Sequence, residues 1–217
     1  MKKVLILDTA KKMPAAVLDQ FLEESFFDLV FYGKDLSTVR ITAPEREEKI
    51  EGDMADEDAM AKAMDGVDYV FFADTSDETR LKHVISAMKK AGKDRLICTS
   101  VVGIYDEVPG KFGEYNREHR GPEFLKHMRH TADLVENSGL NYTILRLPFD
   151  YTNDMNDEFT MRAKGQPFDF TQISRQAVGS AVVGIVRTDE DKYDRTNIAL
   201  GEPGTQRDKP IFDPSRA

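Results

Sequence analysis

Two lysines and an aspartate sit in the connection Asp8-Thr9-Ala10-Lys11-Lys12-Met13-Pro14. It lies between an apolar run at 4–7 and a segment that places Val17, Phe21 and Leu22 on one helical face. A buried strand, a short connection and a helix start form the arrangement that receives phosphate, because the first N–H groups of a helix lack internal acceptors. Such connections carry glycines so that the backbone can approach a diphosphate; here there are none. Asp8 brings negative charge to that place, and two unit charges ~4 Å apart near a surface repel by roughly 4 kcal/mol before screening. Lys11 and Lys12 supply attraction beside it, and Pro14 removes one N–H that could face an anion. Two readings stand: the lysines grip phosphate by charge in a changed geometry, or nothing binds there.

Other reactive side chains are scattered. Glu123, His127 and His130 are spaced by four and three, so they share a helix face. That spacing suits a metal site or a proton donor to a bound molecule, but Glu118, Arg120, Lys126 and Arg129 surround them as on an ordinary solvated face. Cys98 is the single cysteine, so no intramolecular disulfide can form. Its apolar neighbours Leu96 and Ile97 make it a buried small hydrophobe rather than a reactive thiol. Ser100 lies near a strand end without the elbow motif of a nucleophilic serine.

The elements that must position these residues alternate along the chain. Strands are expected at 4–7, 28–32, 49–52, 68–73, 95–99, 142–147 and 197–200. Helices are expected at 14–24, 56–64, 78–91, 123–137 and 174–186, with a glycine-containing loop at 102–113 that could cover a cleft. Alternation with short connections predicts an α/β fold: a doubly wound parallel sheet with helices on both faces. The 217 residues suffice for a single domain, 1–217, in which 148–173 forms a small substrate-side insertion where the periodicity loosens. The tail 201–217 is rich in Gly, Pro and charge and is expected to be partly loose. A net charge of −9 disfavours nucleic acid, whose phosphates need a basic stripe. No run is long and apolar enough for a membrane span, and the first strand begins at once, so neither membrane nor signal sequence is expected. A cytoplasmic location follows as an expectation.

The chain resembles the atypical short-chain dehydrogenase/reductase superfamily, in its NmrA-like NAD(P)-binding branch. The likeness rests on Glu51-Gly52-Asp53-Met54, Gly66-Val67-Asp68-Tyr69-Val70, Ser138-Gly139-Leu140-Asn141-Tyr142-Thr143-Ile144-Leu145-Arg146 and Ile173-Ser174-Arg175, in that order and spacing. It implies a Rossmann-like fold, a cofactor of the NADP kind and a small-molecule substrate. The family's three loop glycines fall on Asp8, Lys11 and Pro14, and all three depart. Its cofactor positions fall here on Thr9, Lys11, Lys12 and Met13 in the loop and on Lys34 after the second strand, for a 2′-phosphate. They continue at Asp53 and Met54 near the adenine and at Ala73, Thr75 and Thr99 along the strand ends. The reductases' Tyr-x-x-x-Lys pair is missing: none of the 7 tyrosines has lysine four residues later. The family's lysine falls near Met128 or Arg129, and arginine is no base at neutral pH. The resemblance therefore implies an oxidoreductase-like protein whose cofactor is weakly held. The alternatives are a regulatory or ligand-binding module that has lost the dinucleotide, or a sugar-epimerase-like isomerase, which the missing tyrosine pair and the short C-terminal lobe count against. A homodimer through exposed helices is an expectation of the same resemblance.

Overall fold

The computed structural model describes residues 1–23, 26–153, 155–188 and 191–214. Its strands are β1 (Lys2–Leu7), β2 (Phe27–Gly33), β3 (Glu47–Glu51), β4 (Tyr69–Phe72), β5 (Arg95–Val101), β6 (Asn141–Leu147), β7 (Phe149–Tyr151), β8 (Thr160–Ala163), β9 (Gln172–Ser174) and β10 (Thr196–Gly201). The helices are α1 (Lys12–Leu22), α2 (Glu57–Ala63), α3 (Glu78–Lys90), α4 (Gly110–Arg120), α5 (Pro122–Glu136) and α6 (Arg175–Arg187). One sheet runs β3-β2-β1-β4-β5-β6-β10-β8, parallel except for the antiparallel edge strand β8. The order reverses direction between β1 and β4, and open α/β sheets bind ligands outside the strand ends at that point.

Two apolar layers hold the sheet. Alternate residues of each strand face opposite sides, so Val4 and Ile6 pack with α1 and α6, while Leu5 and Leu7 join the layer containing α2, α3 and α5. The α1–α6 contact is close: a Cβ on Gly179 would lie 2.9 Å from the Ala16 carbonyl oxygen, so only glycine lets the two backbones approach. Cys98 is fully enclosed and burial pushes its thiol up to about 12, which keeps it protonated and inert.

The doubly wound architecture is the one the sequence predicts, with four differences. Helix α1 starts at Lys12, not at 14, so Pro14 is its third residue, and the helical ladder opens with Ala15 N–H donating to Lys11 C=O at 2.9 Å. Proline there removes no intrahelical bond. The expected end of that helix at Glu24 lies outside the described residues. Residues 110–120 form α4 rather than loop. Its sequence carries two glycines and no clear apolar stripe, and tertiary contacts hold it: Phe112 is buried, and Asn116 Nδ2 donates to Val102 C=O at 3.2 Å. Within 148–173, β7 pairs with β9 and β8 extends the main sheet beside β10. The tail, as far as Pro214, is docked: Thr171 N–H donates to Thr205 C=O at 3.2 Å, and Ile211 N–H to Gln172 Oε1 at 3.0 Å.

Candidate functional site

The connection after β1 turns sharply at Asp8, which holds φ 55°, in the left-handed region that glycine fills most easily. Aspartate is among the few other residues that tolerate it. The backbone there is fixed by Asp8 N–H donating to Tyr32 C=O at 2.7 Å and by the Thr9 hydroxyl donating to Ile6 C=O at 2.8 Å. Lys11, the helix N-cap, has ordinary extended angles, so its side chain strains nothing. The turn is set apart by the charge it carries.

Four ionised side chains meet there. The Asp8 carboxylate lies 2.6 Å from Arg80 Nη2 and 3.1 Å from Lys11 Nζ. Asp74, just beyond β4, lies 3.1 Å from the same Lys11 Nζ and 3.7 Å from Arg80 Nη1. The Asp8 Oδ2 contacts are ion pairs whose angles do not make hydrogen bonds. Burial pushes the Asp74 carboxyl up, but hydrogen bonds from Ser76 and Lys11 outweigh it and hold the group below the usual carboxylate range. Two cations and two carboxylates cancel, so the quartet has no net charge. Any diphosphate placed here must draw Lys11 and Arg80 away from partners they already have.

The cleft continues across the strand ends. A hollow of about 140 Å³ lies between the Asp8 turn, Met13 and Asp74. It adjoins a pocket of about 200 Å³ over the ends of β4, β5 and β6, whose walls include Ala73, Thr75, Thr99 and Ser100. A third, outer pocket of about 440 Å³ lies beyond it, between His119, Arg120, Phe149 and Arg175. The floor is rigid because the loops clip each other: the Thr75 hydroxyl donates to Thr99 C=O at 2.7 Å and the Thr99 hydroxyl donates to Ala73 C=O. The buried Ser100 hydroxyl in the same floor has no hydrogen-bond partner among the described residues, which leaves its donor and acceptor for a ligand.

The sequence-derived cofactor positions therefore divide. Met13, Ala73, Thr75 and Thr99 line the central pocket, and Lys11 guards its entrance. Lys34 and Asp53 are brought together, with Nζ 2.7 Å from the carboxylate; that hydrogen bond is the main reason Asp53 sits below the usual range. Thr9 is buried and its hydroxyl is already used, and the Met54 side chain packs into the core layer beside α2. Lys12 is exposed as the first residue of α1. The three clustered histidines do not converge. His127 Nε2 lies 2.7 Å from Ser76 O, His130 is 3.5 Å from Glu78, and His119 stacks on Tyr115 at the outer pocket. No metal-ligating cluster occurs among the described residues. Nor does any helix among them have the length and apolarity to cross a membrane.

Sequence reasoning did not single out Arg80, Asp150 or Arg120 as site residues. Arg80 follows its N-cap Asp77 by three residues and reads as an ordinary first-turn arginine. Arg120 ends a helix that carries no stripe; the only signal was the Gly121-Pro122 break after it.

Comparison with known proteins agrees with this fold. A family profile described as NAD(P)H-binding matches residues 12–189. The chain belongs to this NAD(P)H-binding family. The match starts at the first residue of α1, so the Asp8–Lys11 turn lies outside it. No curated protein matches the chain significantly. Among solved structures, a short-chain dehydrogenase/reductase from Veillonella parvula is similar, with 26% identity, 98% of this chain and 99% of that one covered, and a TM-score of 0.90. A second structure of such a protein from the same organism, in complex with NADP, has 26% identity over 97% of this chain and 99% of that one, with a TM-score of 0.88. A Rossmann-fold NAD(P)-binding family protein from Shigella flexneri has 29% identity, covers 98% and 100%, and gives a TM-score of 0.78. The fold and family expected from the sequence thus hold.

Proposed function

We propose that this member of the NAD(P)H-binding family is an oxidoreductase of the atypical short-chain type that holds NADP weakly, through charged side chains in place of a bare backbone. The observation that carries the reading is the Asp8–Lys11–Asp74–Arg80 quartet at the one point of the cleft where a diphosphate would meet the start of α1. The reading is supported by the hollows that run from the turn across the switch point over the clipped floor of Thr75 and Thr99. Lys11 and Arg80 would hold the diphosphate after leaving their carboxylates, and Lys34 would face a 2′-phosphate after leaving Asp53. When bound, the nicotinamide supplies the hydride chemistry. The chain itself supplies orientation, an apolar wall and the Ser100 hydroxyl as a hydrogen-bond donor to a small substrate in the adjoining pocket.

Calorimetric titration at low ionic strength tests this reading. NADPH is expected to bind in the high-micromolar range and more tightly than NADH, and Lys11→Ala is expected to weaken NADPH several-fold. Absence of heat with either nucleotide at millimolar concentration would instead favour a ligand-binding module that has lost its dinucleotide, an outcome consistent with a quartet that is already neutral.

A further inference from the structure

The wall between the central and outer pockets contains a cation, Arg120, with no counter-ion among the described residues. Arg120 lines both spaces, of about 200 and 440 Å³. Its Nε donates to Asn116 Oδ1 at 3.0 Å and its Nη2 to Pro148 C=O at 2.7 Å, both neutral acceptors. The guanidinium lies 4.5 Å from the Phe149 ring centre. Among the described residues no carboxylate comes within ion-pairing distance of it, and Nη1 has no protein acceptor. Asp150 is the nearest negative influence, but it is engaged by Arg175 Nε at 2.6 Å, and Arg175 also donates to Thr152 Oγ1. Burial lowers the Arg120 pKa to about 10, so the group stays charged at neutral pH while poorly solvated. A desolvated charge held only by neutral dipoles is under-compensated, and an incoming anion relieves it.

We propose that the small molecule taken by this cleft carries a carboxylate on a flat apolar body, and that Arg120 receives the carboxylate; this rests on reading the cleft as a cofactor-and-substrate site. The charge balance of the outer pocket supports it: among the described residues that line it, Arg120 and Arg175 against Asp150 leave one net positive charge, in a chain whose total is −9. An anion therefore finds local attraction on a generally repelling surface. With Nε and Nη2 engaged, the Nη1 amino group is the donor left for a carboxylate, and a charge-assisted bond to it is stronger than one to a neutral acceptor. The flat body has aromatic walls to lie against. Phe149 is crossed edge-on by Tyr115 and His119 with ring centres 5.6 and 5.5 Å away, and Phe124 stands partly exposed at the rim shared by both pockets.

The test uses 2-naphthoate and its uncharged analogue 2-naphthamide as fluorescent probes, since the chain contains no tryptophan to interfere. Anisotropy titrations of the wild-type protein are expected to show the carboxylate binding at least tenfold more tightly than the amide. In Arg120→Met the two are expected to bind within twofold of each other, and Arg120→Lys should retain an intermediate preference. The wild-type comparison stands by itself if Arg120→Met lowers folding. Equal binding of the two probes, failure of both to bind at millimolar protein, or a preference that survives in folded Arg120→Met would overturn the proposal. NADPH calorimetry on the same samples separates the two ideas. Selective naphthoate binding without NADPH heat would retire the oxidoreductase reading and leave the anion receptor standing.

Discussion

Replacing Glu107 by alanine is expected to cost about 3–5 kcal/mol of folding stability, the range for stranding one member of a buried ion pair. Glu107, on the loop that leads into α4, and Arg146, on β6, are paired with side chains 2% and 0% exposed. Arg146 has no route to water, and its remaining bond is Nε to Asn197 Oδ1 at 2.7 Å. Its Nη2 has no hydrogen-bond partner among the described residues, so losing the carboxylate leaves two guanidinium nitrogens unsatisfied. Glu107 also accepts the Tyr105 N–H at 3.0 Å, and the Tyr105 ring lies 5.2 Å from the Arg146 guanidinium. Urea denaturation should show the loss, with the melting temperature falling by roughly 6–20 °C for a chain of this size. Glu107→Gln keeps an acceptor and the volume and should fall in between. A Glu107→Ala loss below about 1 kcal/mol would mean that Arg146 finds water or another partner.

Asp8→Gly should tighten NADPH binding at least tenfold, equivalent to about 1.4 kcal/mol. Two effects act in the same direction. The substitution removes a carboxylate from the place where a diphosphate would sit, and it leaves Lys11 and Arg80 with Asp74 as their only partner in the quartet. Glycine also adopts the φ of 55° at this position without strain. The full Coulomb term, roughly 4 kcal/mol at ~4 Å, is an upper bound that screening reduces. The gain should therefore shrink as salt is raised, and Asp8→Asn should recover most of it. Calorimetry of the two variants against the wild type reads this directly. An unchanged or weaker affinity in Asp8→Gly would show that the carboxylate does not govern the site.

Much of the scaffold could be read from local pattern, because β1, β2, β4, β5 and β6 each carry an apolar stretch bounded by helix starts and stops. Asp56 and Asp77 cap α2 and α3 through their side chains, a signal a sequence shows plainly. The departure of Asp8 from glycine was equally plain. What it would meet was not: Arg80 and Asp74 reach it only once β4 and α3 are folded beside β1. Helix α4 was hidden because Asn116 and Phe112 hold it by tertiary contact and its own propensity is poor. Arg120 was hidden with it. In the sequence it is one more charge on a solvated face; in the fold it lies over Phe149 and between two pockets. The loose periodicity of 148–173 concealed short strands whose pairing partners are distant in sequence, such as β8 against β10.

The most direct test of the account is a crystal structure of the protein grown with NADP. The account predicts that Lys11 and Arg80 swing away from Asp8 and Asp74 and contact the diphosphate with their side chains. A diphosphate nested on the backbone N–H groups between Thr9 and Met13, with the four-residue ion cluster still closed, would contradict it.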